Sequence, residues 1–190
     1  MEAFFVSLGV VAISEIGDKT QLLAFMLAAR FRRPWPIVAG IFAATLLNHA
    51  LAGLLGGWLA ATVDPNLMRW GLGVLFVAMG IWALVPDKLD DQAVREAATV
   101  WSIFAVTAVS FFLAEIGDKT QIATAALAAR FAGVVPVVMG TALGMLIADI
   151  PAVFIGRRAA SAAGIAWVRY VAAALFALLG IVTIVGWPGF

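Results

Sequence analysis

Long apolar runs alternate with short polar or Pro/Gly-rich breaks along the whole chain. Each run reaches roughly the 20 residues that an α-helix needs to cross the hydrocarbon core of a membrane. The breaks between the runs are too short to form a separate soluble domain. The pattern therefore predicts an all-α integral membrane protein with six transmembrane helices, at about residues 4–29, 35–60, 67–86, 101–129, 135–155 and 164–186.

The basic residues outside these helices are divided unevenly between the loops. Only Arg69 and Arg130 fall on one side of the membrane, while all the others fall on the opposite side. Because short cytoplasmic loops are enriched in Lys and Arg, the first, third and fifth loops are predicted to be cytoplasmic and both termini to lie outside. The N-terminus lacks the basic start of a signal peptide, so we expect the first helix to be retained. The cytoplasmic set is Arg30, Arg32, Arg33, Lys88, Arg95, Arg157, Arg158 and Arg169.

The chain repeats itself at an offset of one hundred residues. Glu-Ile-Gly-Asp-Lys-Thr-Gln occupies 15–21 and returns unchanged at 115–121. This predicts two three-helix repeats, 1–90 and 101–190, joined by a polar cytoplasmic linker at 91–100. Because three is odd, the two repeats must enter the membrane from opposite sides. Inverted repeats are typical of transporters that bind substrate where the halves meet, although a duplicated structural bundle without transport is the alternative.

Two acidic pairs fall at the centres of the first and fourth predicted helices, Glu15 with Asp18 and Glu115 with Asp118. An ionised side chain at this depth costs at least about 2.5–3.5 kcal/mol, so these residues need compensating partners. Three residues apart on a helix, each Glu and Asp share one face, which allows both carboxylates to meet. The glycine between them is expected to permit either close helix packing or a local break that exposes carbonyl oxygens.

Lys19 and Lys119 follow the acidic pairs and are expected to pair either with a carboxylate of the other helix or with water alone. With all groups charged, the four acids and two lysines carry two net negative charges. One divalent cation or two protons would neutralise this charge, so the two compete for one site. Crowding in a low dielectric also favours the protonated acids. Such competition is what exchange of a cation for protons requires.

Further polar side chains near the acids are candidate auxiliary groups. Asp149 interrupts the fifth helix and is a candidate proton-coupling residue or auxiliary ligand, with structural pairing to a basic residue as the alternative. His49 occupies the same repeat position in the second helix, where a hydrogen-bonded packing role competes with a functional one. The neutral oxygen donors that are candidate metal ligands beside the acids are Thr20, Thr120, Gln21 and Gln121.

Composition narrows the chemistry further. Only 12% of the residues are charged and 64% are hydrophobic, which excludes an ordinary soluble domain. A net charge of +1 gives no broad attraction to nucleic acid. The chain has no cysteine, so thiolate metal sites are excluded. Oxygen ligands favour Mn²⁺ or Ca²⁺ as the transported ion over Cu(I), Zn²⁺ or Ni²⁺, and no cofactor is expected.

The doubled Glu-Ile-Gly-Asp-Lys-Thr, at 15–20 and 115–120, resembles the signature of the Gdt-type cation/proton antiporters. These include the Golgi manganese and calcium transporters and the bacterial MneA-type manganese exporters. The resemblance implies export of a divalent cation from the cytoplasm in exchange for protons, with the four acids as the cation site. It points to Mn²⁺ for a compact bacterial member and to a place in the bacterial inner membrane.

Two other functions remain as alternatives at this stage. A metal-dependent hydrolase of lipid phosphates would use the acids as ligands or bases, but no nucleophile is evident and no arginine lies at membrane depth to hold phosphate. A cation channel would use the same acids without proton exchange. We therefore predict a transporter and not an enzyme, surrounded by membrane lipid, with a homo-oligomer left open.

Overall fold

The computed structural model describes residues 1–85, 99–131, 133–155 and 166–185. Within these ranges all regular structure is helical, and there is no strand. Lys88, Arg95, Arg157, Arg158 and most of the predicted linker at 91–100 lie outside the described residues, as does the side chain of Arg169. The helices are α1 (Glu2–Glu15), α2 (Lys19–Phe31), α3 (Pro34–Thr62), α4 (Pro65–Ala83), α5 (Val100–Glu115), α6 (Lys119–Phe131), α7 (Val134–Ile155) and α8 (Ala166–Val185).

The first and fourth predicted spans are not continuous helices. The first is divided into α1 and α2 and the fourth into α5 and α6, each at the repeated acidic segment. Gly17 and Gly117 have φ angles of 84° and 73°, a left-handed conformation that glycine adopts without steric cost. Two outcomes were expected for these glycines, close helix packing or a local break, and the structure shows the local break.

Three helices of the described chain are long and apolar enough to cross a membrane singly, namely α3, α4 and α7. The pair α5 and α6 passes the same test as one span bent by 72°, which brings the number to four. These helices identify a multi-pass membrane protein. The six-span inverted architecture stays a prediction.

Local sequence explains where several of these helices begin. Proline stands in the first turn of both α3 and α4, where its missing N–H costs no hydrogen bond. Asp64 caps α4 by accepting hydrogen bonds from the backbone N–H groups of Asn66 and Leu67, at 2.9 and 3.1 Å. Thr99 and Ser102 form a capping box at the start of α5. These local signals explain where the three helices begin.

Helices of the two halves pack against each other. The packing pairs are repeated at the offset of one hundred residues that relates the two sequences. Helix α1 packs on α7, and its counterpart α5 packs on α3, while α4 packs on α8. Gly40 of α3 lies so close to α5 that a Cβ there would come within 2.7 Å of the Thr107 Cβ. Gly140 of α7 meets Ser7 of α1 in the same way, at 3.1 Å. The first helix of each half, α1 or α5, therefore packs on the third helix of the other half, α7 or α3.

Candidate functional site

The two helix breaks have nearly the same local geometry. Glu15 is the last residue of α1 and Asp18 stands immediately before α2, and the Asp18 N–H donates to the Glu15 carbonyl at 3.0 Å. Glu115 and Asp118 repeat this arrangement between α5 and α6, at 3.1 Å. All four carboxylate side chains are buried. Each break thus turns one Glu and one Asp into the protein, although they do not lie on one helix face as predicted.

A glutamine side chain holds each break. The Gly17 N–H donates to Gln21 Oε1 at 3.0 Å, and the Gly117 N–H donates to Gln121 Oε1 at 2.8 Å. At its other end, Gln21 Nε2 donates to the carbonyl oxygen of Ala148 on α7, at 2.9 Å. Both glutamines are therefore engaged in holding the backbone, and their predicted role as metal ligands stays a prediction.

The two threonines orient the glutamates. Thr20 donates its hydroxyl hydrogen to Glu15 Oε2 at 2.8 Å, and Thr120 donates to Glu115 Oε2 at 3.0 Å. The remaining oxygen of each glutamate, Oε1, is buried without a hydrogen-bond partner among the described residues. Buried carboxylate oxygens are normally satisfied, so these two atoms are candidate ligands for a cation.

Carboxylates from both breaks converge on one point. One oxygen each from Glu15, Glu115 and Asp118 lie within 4.8 Å of one another, and all three residues are buried. Oxygens at this spacing can coordinate a single cation, and hard divalent ions prefer such ligands. The four acids predicted from sequence are thus brought together, and three of them form the cluster.

The lysines form ion pairs that cross between the breaks. Lys19 Nζ lies 2.7 Å from Asp118 Oδ1, and Lys119 Nζ lies 2.8 Å from Asp18 Oδ1. This is the first of the two predicted alternatives, pairing with the other helix. The Lys19 side chain is 21% exposed and that of Lys119 only 6%, so the two pairs differ in their access to solvent.

The two auxiliary candidates lie in different surroundings. Asp149 is fully buried, and both its oxygens lack a hydrogen-bond partner in the described structure. His49 is also fully buried, and its Nδ1 lies 2.9 Å from the hydroxyl oxygen of Thr141 on α7. Asp149 therefore directly follows the residue of α7 that accepts the hydrogen bond of Gln21, whereas His49 joins α3 to α7.

Sequence reasoning gives no role to one residue at the second break. Asn48 of α3 stands out along the chain only as a polar interruption, but the structure places its Oδ1 3.3 Å from Gln121 Nε2 and its Nδ2 3.1 Å from the carbonyl oxygen of Phe112. The available signal was the difference between the repeats, because the equivalent position in the second half is Ala148.

Comparison with known proteins identifies the family. The family model described as "Divalent cation/proton antiporter GDT1" matches residues 3–91 and 103–188, which include both breaks. The chain belongs to this family. It is 46% identical over 184 residues to a Vibrio cholerae protein named "Putative manganese exporter", covering 96% of this chain and 90% of that protein. It is 29% identical to the GDT1-like protein sll0615 of Synechocystis, covering 96% and 97% of the two chains.

More distant members extend to plants, and no solved structure matches the chain. The GDT1-like protein 4 of Oryza sativa subsp. indica is 30% identical over 84% of this chain and 65% of its own length. Membership of the GDT1 family confirms the resemblance seen in the repeated motif. It also confirms that the protein is a transporter and not an enzyme, which removes the lipid-phosphate hydrolase from consideration.

Proposed function

We propose that this protein exports Mn²⁺ from the cytoplasm in exchange for protons, with Ca²⁺ as a second substrate. The observation that carries the proposal is the convergence of Glu15, Glu115 and Asp118 on one point, with oxygens within 4.8 Å of one another. The cluster draws on both repeated segments, so one bound ion would join the two halves of the chain. The similarity to the Vibrio cholerae protein favours Mn²⁺ and outward transport.

Charge balance supports the exchange of one divalent cation for protons. Two lysines hold one aspartate each, at 2.7 and 2.8 Å, which leaves the negative charge of the two glutamates without a basic partner among the described residues. In a low-dielectric interior this charge must be neutralised, either by a divalent cation or by two protons. Because the cation and the protons neutralise the same carboxylates, binding of the cation releases the protons, and protonation releases the cation.

The donor set supports Mn²⁺ and Ca²⁺ over softer ions. The converging atoms are carboxylate oxygens, there is no cysteine in the chain, and the single histidine lies against the Thr141 hydroxyl of α7. Oxygen ligands suit Mn²⁺ and Ca²⁺, whereas soft ligands select Cu(I) and favour Zn²⁺. Thr20 and Thr120 would hold the glutamates, and the unpartnered carboxylate of Asp149 would carry a proton to or from them.

Alternating access by two inverted repeats is the proposed mechanism. The exchange of packing partners at an offset of one hundred, with α1 on α7 and α5 on α3, supports a pair of equivalent halves around the cluster. Rocking of one half against the other would open the cluster to one side at a time. The charge of the loops supports both termini outside the cytoplasm, and the similarity to the Vibrio cholerae protein supports a place in the bacterial inner membrane.

The test is metal-dependent proton movement in proteoliposomes that contain the full chain. Liposomes hold a pH dye and a Mn²⁺ indicator, and Mn²⁺, Ca²⁺, Mg²⁺ and Zn²⁺ are added outside in turn. We expect Mn²⁺ entry to drive protons out, and the Mn²⁺ concentration for half-maximal flux to fall as external pH rises, since fewer protons compete. Mn²⁺ flux that moves no protons and ignores the pH gradient would instead identify a channel.

A further inference from the structure

Asn48 fastens the second helix break to the rest of the protein. It is fully buried on α3, and its amide group donates one hydrogen bond and accepts another. Its Nδ2 donates to the carbonyl oxygen of Phe112, in the last turn of α5, and its Oδ1 accepts from Nε2 of Gln121, in the first turn of α6. One side chain therefore holds the helices on both sides of the break.

The bond chain continues into the break itself. Gln121 Oε1 accepts the hydrogen bond of the Gly117 N–H at 2.8 Å, so Asn48 is connected through Gln121 to the turn between Glu115 and Asp118. Glu115 ends α5 and Asp118 precedes α6. Asn48 therefore ties the helices on both sides of the turn that carries these two acids to α3.

The first break has no equivalent of this side chain. At the same repeat position stands Ala148, which offers Gln21 only its main-chain carbonyl oxygen. An alanine side chain has no group with which to reach α1. The difference coincides with a difference in the site, because the cluster contains both acids of the second break, Glu115 and Asp118, but only the glutamate of the first.

We infer that Asn48 is a positioning residue for the cation site, which holds the turn that carries Glu115 and Asp118 in place against α3 and thereby sets affinity and the choice between Mn²⁺ and Ca²⁺. The inference rests on the proposed function, since it concerns the same site. Outer-shell groups that orient metal ligands typically change metal affinity 10–100-fold when removed. Selectivity between divalent ions depends on the size and rigidity of the ligand cage, so loosening one pair of ligands affects both properties.

The experiment compares Asn48→Ala with Thr45→Val in proteoliposomes. Thr45 lies one turn earlier on α3, is equally buried, and donates its hydroxyl hydrogen to Met145 Sδ of α7 at 3.2 Å instead of to α5 or α6. For Asn48→Ala we expect the KM for Mn²⁺ to rise about tenfold with little change in maximal rate, and the Mn²⁺/Ca²⁺ preference to fall. Thr45→Val should keep the wild-type KM and preference, because it removes a buried polar contact without touching the site.

Two further variants keep the inference open to refutation. Asn48→Leu preserves the side-chain volume if the alanine variant folds poorly, and it should raise KM in the same way. In the double variant Asn48→Ala/Gln121→Ala, KM should rise by less than the two single rises multiplied together, since Asn48 and Gln121 share one hydrogen bond. A wild-type KM and ion preference in a folded Asn48 variant would overturn the inference while leaving Mn²⁺ transport intact. Absence of Mn²⁺ transport by the wild type would overturn the proposed function instead.

Discussion

The two helix breaks carry the same seven residues and differ in what surrounds them. Their internal geometry agrees closely: the Gly φ angles are 84° and 73°, and the threonine–glutamate hydrogen bonds measure 2.8 and 3.0 Å. The crossed ion pairs measure 2.7 and 2.8 Å. The seven shared residues therefore account for the internal geometry that the two breaks have in common, and the neighbouring helices act on where each break lies.

The neighbouring helices make the breaks unequal. Asn48 faces the second break where Ala148 faces the first, and the Asp18–Lys119 pair is more deeply buried than the Asp118–Lys19 pair. Asp118 joins the cluster of carboxylates and Asp18 does not. Two copies of one motif thus supply different ligands, because the packing around a motif decides which of its side chains reach the common point.

The largest effect should come from removing a glutamate, at either break alike. Glu15→Gln and Glu115→Gln each delete a charged oxygen from the cluster while keeping the side-chain size and the threonine contact. We expect either change to lower Mn²⁺ flux by more than the roughly hundredfold seen for outer-shell changes. Flux into proteoliposomes is the measurement, and Glu2→Gln, an exposed acid at the other end of α1, is the matched control. Undiminished flux in both variants would show that the cluster does not bind the ion.

Asparagine substitutions of the two aspartates should affect different properties, one mainly the stability of the protein and the other mainly Mn²⁺ binding. Asp18→Asn deprives the buried Lys119 of a carboxylate at 2.8 Å, and breaking a buried pair typically costs about 3–5 kcal/mol. Asp118→Asn removes a cluster ligand, but Lys19 is 21% exposed and can turn toward solvent. We expect Asp18→Asn to lower the unfolding temperature in detergent more, and Asp118→Asn to raise the KM for Mn²⁺ more. Equal effects of the two changes on both quantities would contradict the inequality of the breaks.

Much of this fold follows from the sequence. The apolar runs predicted the helices, and the repeat of 15–21 at 115–121 predicted that equivalent residues would serve one site. The crossed pairing of Lys19 and Lys119 was one of two alternatives that the sequence left open, and the structure shows it, as the need of a buried ammonium group for a carboxylate explains. A local break at the two glycines was likewise one of two alternatives, because an apolar run shows where a chain is buried and not whether its backbone remains helical through a glycine.

The contacts of other site residues could not be predicted from the sequence. Gln21 bonds to the main-chain oxygen of Ala148, and any residue at that position would offer the same acceptor. The part played by Asn48 depends on the approach of α3 to both α5 and α6, which periodicity does not reveal. That Asp118 and not Asp18 enters the cluster likewise depends on packing, since the two motifs are identical.

The smallest predicted effect concerns the glycine of the second break. Gly117 has φ 73°, and a Cβ added to it would have nothing within 4 Å, so Gly117→Ala meets no clash and bears only the conformational cost of a left-handed residue, about 1–2 kcal/mol. Gly9 in α1 has the same open space but a helical backbone, so Gly9→Ala should be neutral or stabilising by about 0.5–1 kcal/mol. Thermal unfolding of the two variants in detergent measures the difference. If Gly117→Ala is as stable as Gly9→Ala, the left-handed turn is not what holds α5 and α6 apart, and the break must be maintained by Gln121 and its bond to Asn48 instead.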